Sequence, residues 1–115
     1  PIVTATSIVA AYEGRSLAAL IIRKEAKGHG TCAYIEGPML PAGSTVTVLE
    51  DVVTTGGSAM QAVERLQAAG YRVNRVISLV DRHQGGAELY QTAGLLFQPV
   101  FSIQEIQQRW HELHP

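Results

Sequence analysis

The stretch Thr45-Val-Thr-Val-Leu-Glu-Asp51 constrains this chain most, because it leads into a glycine turn and a helical pattern. Its β-branched and apolar residues favour an extended strand. Thr54-Thr-Gly-Gly-Ser58 then interrupts the run, and Met60, Val63 and Leu66 recur at the spacing of one helical face. Ser58 and Gln61 offer a capping box and Gly70 a stop, which predicts a helix from about Ser58 to Ala69. Val73 to Val80 is a second apolar strand. Strand, turn, helix and strand in this order form a βαβ unit, and such units build parallel sheets.

The flanking segments extend that pattern. Gly85-Gly86 opens a short helix carrying Leu89, Tyr90 and Ala93 and closed by Gly94. Leu95 to Phe101 reads as an edge strand, because Pro99 has no N–H for a central ladder. Ser102 and Glu105 form another capping box, with Ile103, Ile106, Trp110 and Leu113 along one stripe of a terminal helix. Upstream, Leu17 to Ile22 reads as one continuous apolar strand. Residues 24 to 44 read as a long glycine-containing loop, and loops of that length in a small domain are usually functional. Ile2 to Thr6 is β-branched while Ser7 to Tyr12 suits a helix; helix is the reading preferred for this segment. With 115 residues the chain is expected to form a single domain over 1–115.

Charge narrows the function. A formal net charge of -1 leaves no overall basic field, so neither a nucleic acid nor an anionic membrane is an expected partner. No apolar stretch approaches the roughly 18 residues of a membrane span. Cys32 is the only cysteine, which excludes an internal disulfide and suits a reducing, cytoplasmic setting. The scarce charges are placed unevenly: the only two lysines, Lys24 and Lys27, share one loop, and the only two aspartates, Asp51 and Asp81, each end an apolar run.

In an open parallel sheet, ligands bind beyond the carboxyl ends of the strands. Glu50 and Asp51 sit at such an end, and adjacent carboxylates can accept hydrogen bonds from a vicinal diol. Thr54, Thr55 and Ser58 hydroxyls, with Gly56 and Gly57 amides, can surround a phosphate at a helix N-terminus. The stretch is neither a Walker loop nor GxGxxG. An ordinary strand-turn-helix junction would place its glycines similarly; the preceding acidic pair favours a ribose grip beside a phosphate grip. Arg23-Lys-Glu-Ala-Lys-Gly-His-Gly30 puts cations on a glycine-containing loop, which suits closure over a polyphosphate but equally a solvated loop. Asp81 could orient Arg82 toward a planar carboxylate, or the two could form a structural ion pair. His83, His111 and His114 read as surface residues, and Cys32 as a passive loop residue without a paired base.

Four stretches in sequence order carry a resemblance: Arg23 to Thr31, Ile35-Glu-Gly37, Glu50-Asp-Val-Val-Thr-Thr-Gly-Gly-Ser58 and Asp81-Arg-His-Gln-Gly-Gly86. Together they resemble orotate phosphoribosyltransferases, members of the type I phosphoribosyltransferases. The resemblance implies an α/β fold with a parallel sheet flanked by helices, N-terminally truncated against the family: its hood, first core strand and pyrophosphate loop have no counterpart here. It implies transfer of a phosphoribosyl group from 5-phosphoribosyl-1-pyrophosphate to orotate, giving orotidine 5'-phosphate and pyrophosphate in pyrimidine biosynthesis. Mg²⁺ would be carried mainly by the substrate, with no direct protein ligand. Lys27, Glu50 and Asp51 would be catalytic. Arg23, Lys24, Lys27 and His29 would form the mobile loop, which in this family reaches the neighbouring site of a homodimer. Glu50 and Asp51 would hold the ribose; Val52, Val53, Thr54, Thr55, Gly56, Gly57 and Ser58 would cradle the 5-phosphate. Orotate would meet Thr54 and Arg82. Gly28 stands where many relatives carry an aspartate. The resemblance also implies an alternative: a weakly active or inactive phosphoribosyl-pyrophosphate-binding fragment or sensing module.

Overall fold

The structure is a computed structural model, and it describes residues 2–30 and 32–115. Pro1 and Thr31, the latter closing the loop motif, lie outside the described residues. Helix α1 (Ile2–Tyr12) comes first, settling the ambiguous segment as helical. Strands β1 (Ile21–Ile22) and β2 (Ile35–Glu36) follow, then β3 (Thr45–Val53), α2 (Gly57–Ala68), β4 (Arg72–Asp81), α3 (Gly86–Thr92), β5 (Leu96–Ser102) and α4 (Ile103–Leu113).

The βαβ reading holds. β3, β4 and β5 form a parallel sheet in the order β3-β4-β5, with Val48 beside Val76 and Val76 beside Phe97. β5 lies at the sheet edge, where Pro99 is tolerated. The buried core comprises Val48 and Val53 of β3, Ala59, Val63 and Leu66 of α2, Val73 and Val76 of β4, and Tyr90 of α3. The Met60-Val63-Leu66 face therefore packs largely as its spacing requires. Gly70, at φ 92, occupies the left-handed region that stops α2. At Ser102 the reciprocal capping box forms: its hydroxyl accepts from the Glu105 amide at 3.2 Å, and its amide donates to Glu105 Oε1 at 3.4 Å.

Three expectations change. Leu17 to Ile22 is not one strand of the parallel sheet; only Ile21–Ile22 is extended, antiparallel to Ile35–Glu36. A ladder needs a partner, and among the described residues the edge of β3 away from β4 pairs with no strand. The long loop is consequently a hairpin: Arg23 donates its amide to the Tyr34 carbonyl at 2.7 Å, and Lys27 to Ala33 at 2.8 Å. Ser58 is not a helix cap. Gly56, at φ 90 and ψ -1, takes that place and α2 begins at Gly57, leaving Ser58 in the first turn.

Candidate active site

The carboxyl ends of β3 and β4 lie side by side, since Val53 pairs with Asp81. That edge carries the candidate site. The turn Thr54–Gly56 leaves β3 and enters α2 through a left-handed glycine that makes no side-chain cap hydrogen bond. The first amides of a helix have no intrahelical acceptor. Uncapped, they face an anion-binding position reinforced by the helix dipole. A pocket of about 200 Å³ opens there, lined by Glu50, Thr54, Thr55, Gly57, Ser58 and Tyr90 among others.

The turn is held from beneath by α3. Gly86 donates its amide to the Thr54 carbonyl at 3.1 Å. Tyr90, fully buried, donates its hydroxyl to the Gly56 carbonyl at 3.3 Å. The two glycines approach so closely that a Cβ on Gly56 would meet Gly86 Cα at 3.1 Å. Gly86 of the Asp81 to Gly86 motif is thus a packing requirement of the Thr54–Gly56 turn, whereas a Cβ on Gly85 would meet nothing within 4 Å. Burial, then Glu50 and Asp81, pushes the Tyr90 hydroxyl up to about 12, so it remains a neutral donor near pH 7.

Glu50 and Asp51 differ although adjacent, because successive strand residues face opposite sides. Glu50 is half-buried, and burial followed by the Asp51 charge raises its carboxyl above the ordinary 4.5. Asp51 is exposed, and its Oδ1 accepts from the Val52 amide at 2.7 Å. Both line a larger cleft of about 770 Å³ with Ser58, Arg23 and Lys24. That cleft runs between the open edge of β3, strand β1 and helix α1.

The loop residues divide. Arg23 and Lys24 reach the cleft, but Lys27 and His29 line neither cavity. Arg23 is engaged within the hairpin: its Nη1 donates to the Ala33 carbonyl at 3.2 Å and its Nε lies 3.7 Å from Glu36 Oε2. Arg82 is exposed and lines neither cavity, and its amide donates to the Val53 carbonyl at 3.0 Å. The Asp81–Arg82 pair does not form. His83 turns back at φ 54, and buried Asp81 accepts from its amide at 2.9 Å while facing Nδ1 at 3.3 Å. Cys32 is exposed, and no group of three or more His, Cys, Asp or Glu side chains could hold a metal among the described residues. No helix among them is long and apolar enough to cross a membrane. Arg65, which sequence reasoning passed over, reaches back to this loop from α2. The contact spans 42 residues, so no sequence-local pattern signalled it.

Residues 5–94 match the family model of uracil phosphoribosyltransferase. Over 113 residues the chain is 71% identical to the orotate phosphoribosyltransferase of Nostoc sp., a match covering 98% of this chain and 55% of that relative. The chain thus spans about half the length of the curated relative. Among solved structures it resembles Mycobacterium tuberculosis orotate phosphoribosyltransferase in complex with Fe(III) dicitrate, at TM-score 0.72 and 41% identity over 79% of this chain and 51% of that one. The same enzyme in complex with 5-phospho-α-D-ribosyl 1-diphosphate matches at TM-score 0.69 and 37% identity, again over 79% of this chain and 51% of that one. A glycine turn without a side-chain cap behind two carboxylates, on a parallel sheet that superposes on these enzymes, agrees with the family match over residues 5–94, and the chain belongs to the phosphoribosyltransferase family.

Proposed function

We propose that this chain carries the phosphoribosyl-pyrophosphate half of an orotate phosphoribosyltransferase site. The reaction would transfer the phosphoribosyl group to orotate, releasing pyrophosphate and giving orotidine 5'-phosphate on the route to UMP. The observation that carries this reading is the uncapped start of α2 directly behind the Glu50-Asp51 strand end. In it, the α2 amides and the Thr54, Thr55 and Ser58 hydroxyls receive the 5-phosphate, while Glu50 and Asp51 accept from the ribose hydroxyls.

Charge development assigns the remaining roles. As the bond from the anomeric carbon to pyrophosphate breaks, positive charge grows on the ribose and negative charge on the leaving group. Anchored carboxylates tolerate the first, and cations of the Arg23 to Gly30 loop offset the second. Arg82 and Thr54 would meet orotate. Mg²⁺ would be carried mainly by the substrate, with no direct protein ligand, which suits an ion that retains waters and phosphate ligands. When bound with the substrate, the ion would supply neutralisation of pyrophosphate charge, while exposed Asp51 and half-buried Glu50 remain for the ribose hydroxyls. Lys27 and His29, away from the cleft in this chain, would serve the neighbouring site of a homodimer. A cytoplasmic location accompanies this reading.

A second reading is a phosphoribosyl-pyrophosphate-binding chain with little turnover of its own. The cleft beside the open edge of β3 favours it, because among the described residues no strand walls the cleft on that side. Calorimetric titration with phosphoribosyl pyrophosphate and Mg²⁺, followed by an orotate-dependent pyrophosphate-release assay, separates the readings. Binding with turnover supports the first, binding alone the second, and neither would overturn both.

A further inference from the structure

Arg65 occupies the last turn of α2, the helix whose first turn forms the phosphate cradle. Eight residues of helix place it about 12 Å from Gly57 along the axis. From there its side chain leaves the helix surface and engages the hairpin. Nη1 donates to the Arg23 carbonyl at 2.5 Å and Nη2 to the Lys24 carbonyl at 3.1 Å. The guanidinium carbon also lies 3.7 Å from the centre of the Tyr34 ring. Arg23 and Lys24 begin the cation loop, and Tyr34 lies on the returning leg of the hairpin opposite Arg23. One planar group therefore holds both legs of the hairpin.

The chemistry is specific to arginine. A guanidinium presents several donors in one plane and still offers a flat face to an aromatic ring. An ammonium is a compact charge on a flexible stem and cannot reproduce the two-carbonyl fork with the same ring contact. Backbone carbonyls also accept more strongly from a charged donor than from a neutral one. Arg23 contributes from within the hairpin, through its own bond to Ala33.

We propose that Arg65 is a positioning residue that fixes the base of the Arg23 to Gly30 loop relative to the phosphate cradle, α2 acting as the rigid connection. The proposal deepens the functional reading above and rests on it for the loop's purpose. Its mechanical content stands on the contacts alone.

Amide hydrogen exchange on the full chain tests it, comparing wild type with Arg65→Gln and Arg65→Lys. Both variants should exchange the Arg23, Lys27 and Ala33 amides roughly tenfold faster or more, while the Val48 and Val76 amides keep their wild-type rates. Unchanged hairpin exchange would overturn the proposal. So would an equal rise at Val48 and Val76, which would mark Arg65 as a general stabiliser, or full restoration by lysine, which would mean that charge alone suffices. Titration with phosphoribosyl pyrophosphate and Mg²⁺ is run in parallel. Failure of the wild type to bind overturns the functional reading and leaves the exchange result standing; altered binding without altered exchange overturns only the role of Arg65.

Discussion

Tyr90 donates its hydroxyl to the Gly56 carbonyl at 3.3 Å, joining two residues 34 positions apart. Its ring also lies 5.0 Å from that of Phe97, so one buried side chain links the Thr54–Gly56 turn, α3 and β5. Tyr90→Phe keeps the ring and removes the bond, leaving a carbonyl short of a donor. The expected loss is about 1 kcal/mol, read by denaturant titration at pH 7. Raising the phenol from 10.0 to about 12 favours the folded state with the hydroxyl neutral, so this contribution is intact below pH 10 and lost between there and about 12. A Tyr90→Phe variant with wild-type stability at pH 7 would show that the bond is immaterial.

Gly86 has no room for a side chain. An added Cβ would fall 2.4 Å from Val53 Cγ1 and 3.1 Å from the Thr54 carbonyl oxygen, and Val53 is buried. Gly86→Ala should therefore cost roughly 1–3 kcal/mol and weaken phosphoribosyl-pyrophosphate binding as the turn is pushed out of place. Gly94→Ala is the control: it carries backbone strain at φ 75 but meets nothing within 4 Å. Its ligand affinity should match that of the wild type, and an equal loss in both variants would remove the steric argument.

Asp51→Asn should separate binding from stability. Its Oδ1 accepts from the Val52 amide, which an asparagine oxygen can also do, so the melting temperature should hold. Affinity for phosphoribosyl pyrophosphate should fall about tenfold as a charged acceptor becomes neutral. Unchanged affinity would count against the ribose grip.

Glu50→Gln should act in opposite directions on fold and ligand. With the carboxyl raised above 4.5, its contribution to folding is fully present below that pH and lost as pH rises through the raised value. At pH 7 the buried charge opposes folding, so the neutral amide should raise the melting temperature, by about 2 °C given the partial exposure of the group. Binding of phosphoribosyl pyrophosphate should weaken at the same pH. The stability gap should close on acidification below 4.5. A variant less stable than wild type at pH 7 would reverse the sign assigned to this burial.

Lys27→Ala leaves the Lys27 amide bond to Ala33 in place, because that bond uses backbone only. If the side chain acts on the departing pyrophosphate, turnover in an assembly that supports it should fall about a hundredfold while affinity changes little. Equal losses in both would indicate simple attraction in the ground state.

Local chemistry decided which parts of this structure were legible. Thr45 to Asp51, the Met60-Val63-Leu66 face and the Ser102–Glu105 box depend on residues a few positions apart, and their elements appear where their patterns place them. Leu17 to Ile22 was over-extended, since apolar content suits a strand but pairing is a tertiary property. Ile35–Glu36 was missed because two residues in a glycine-bearing segment carry no period. Ser58 looked like a cap until the left-handed backbone at Gly56 moved the helix start. The Asp81 partner was misplaced by one step, as the positive φ at His83 could not be foreseen from residue type. Arg65 reaches across 42 residues to Arg23, beyond any sequence-local signal.

The capping box at Ser102 has a consequence for the rim of the candidate site. Ser102 neighbours Asp81 in the ladder, so three parallel strands end along one rim. At β3 the rim continues into uncapped amides, and at β4 it carries the Asp81 carboxylate. At β5 both the hydroxyl and the amide of Ser102 are occupied by Glu105. The rim is lopsided in its polar chemistry: at β5 the hydroxyl and amide of Ser102 are already engaged by the first turn of α4, whereas at β3 the α2 amides carry no side-chain cap.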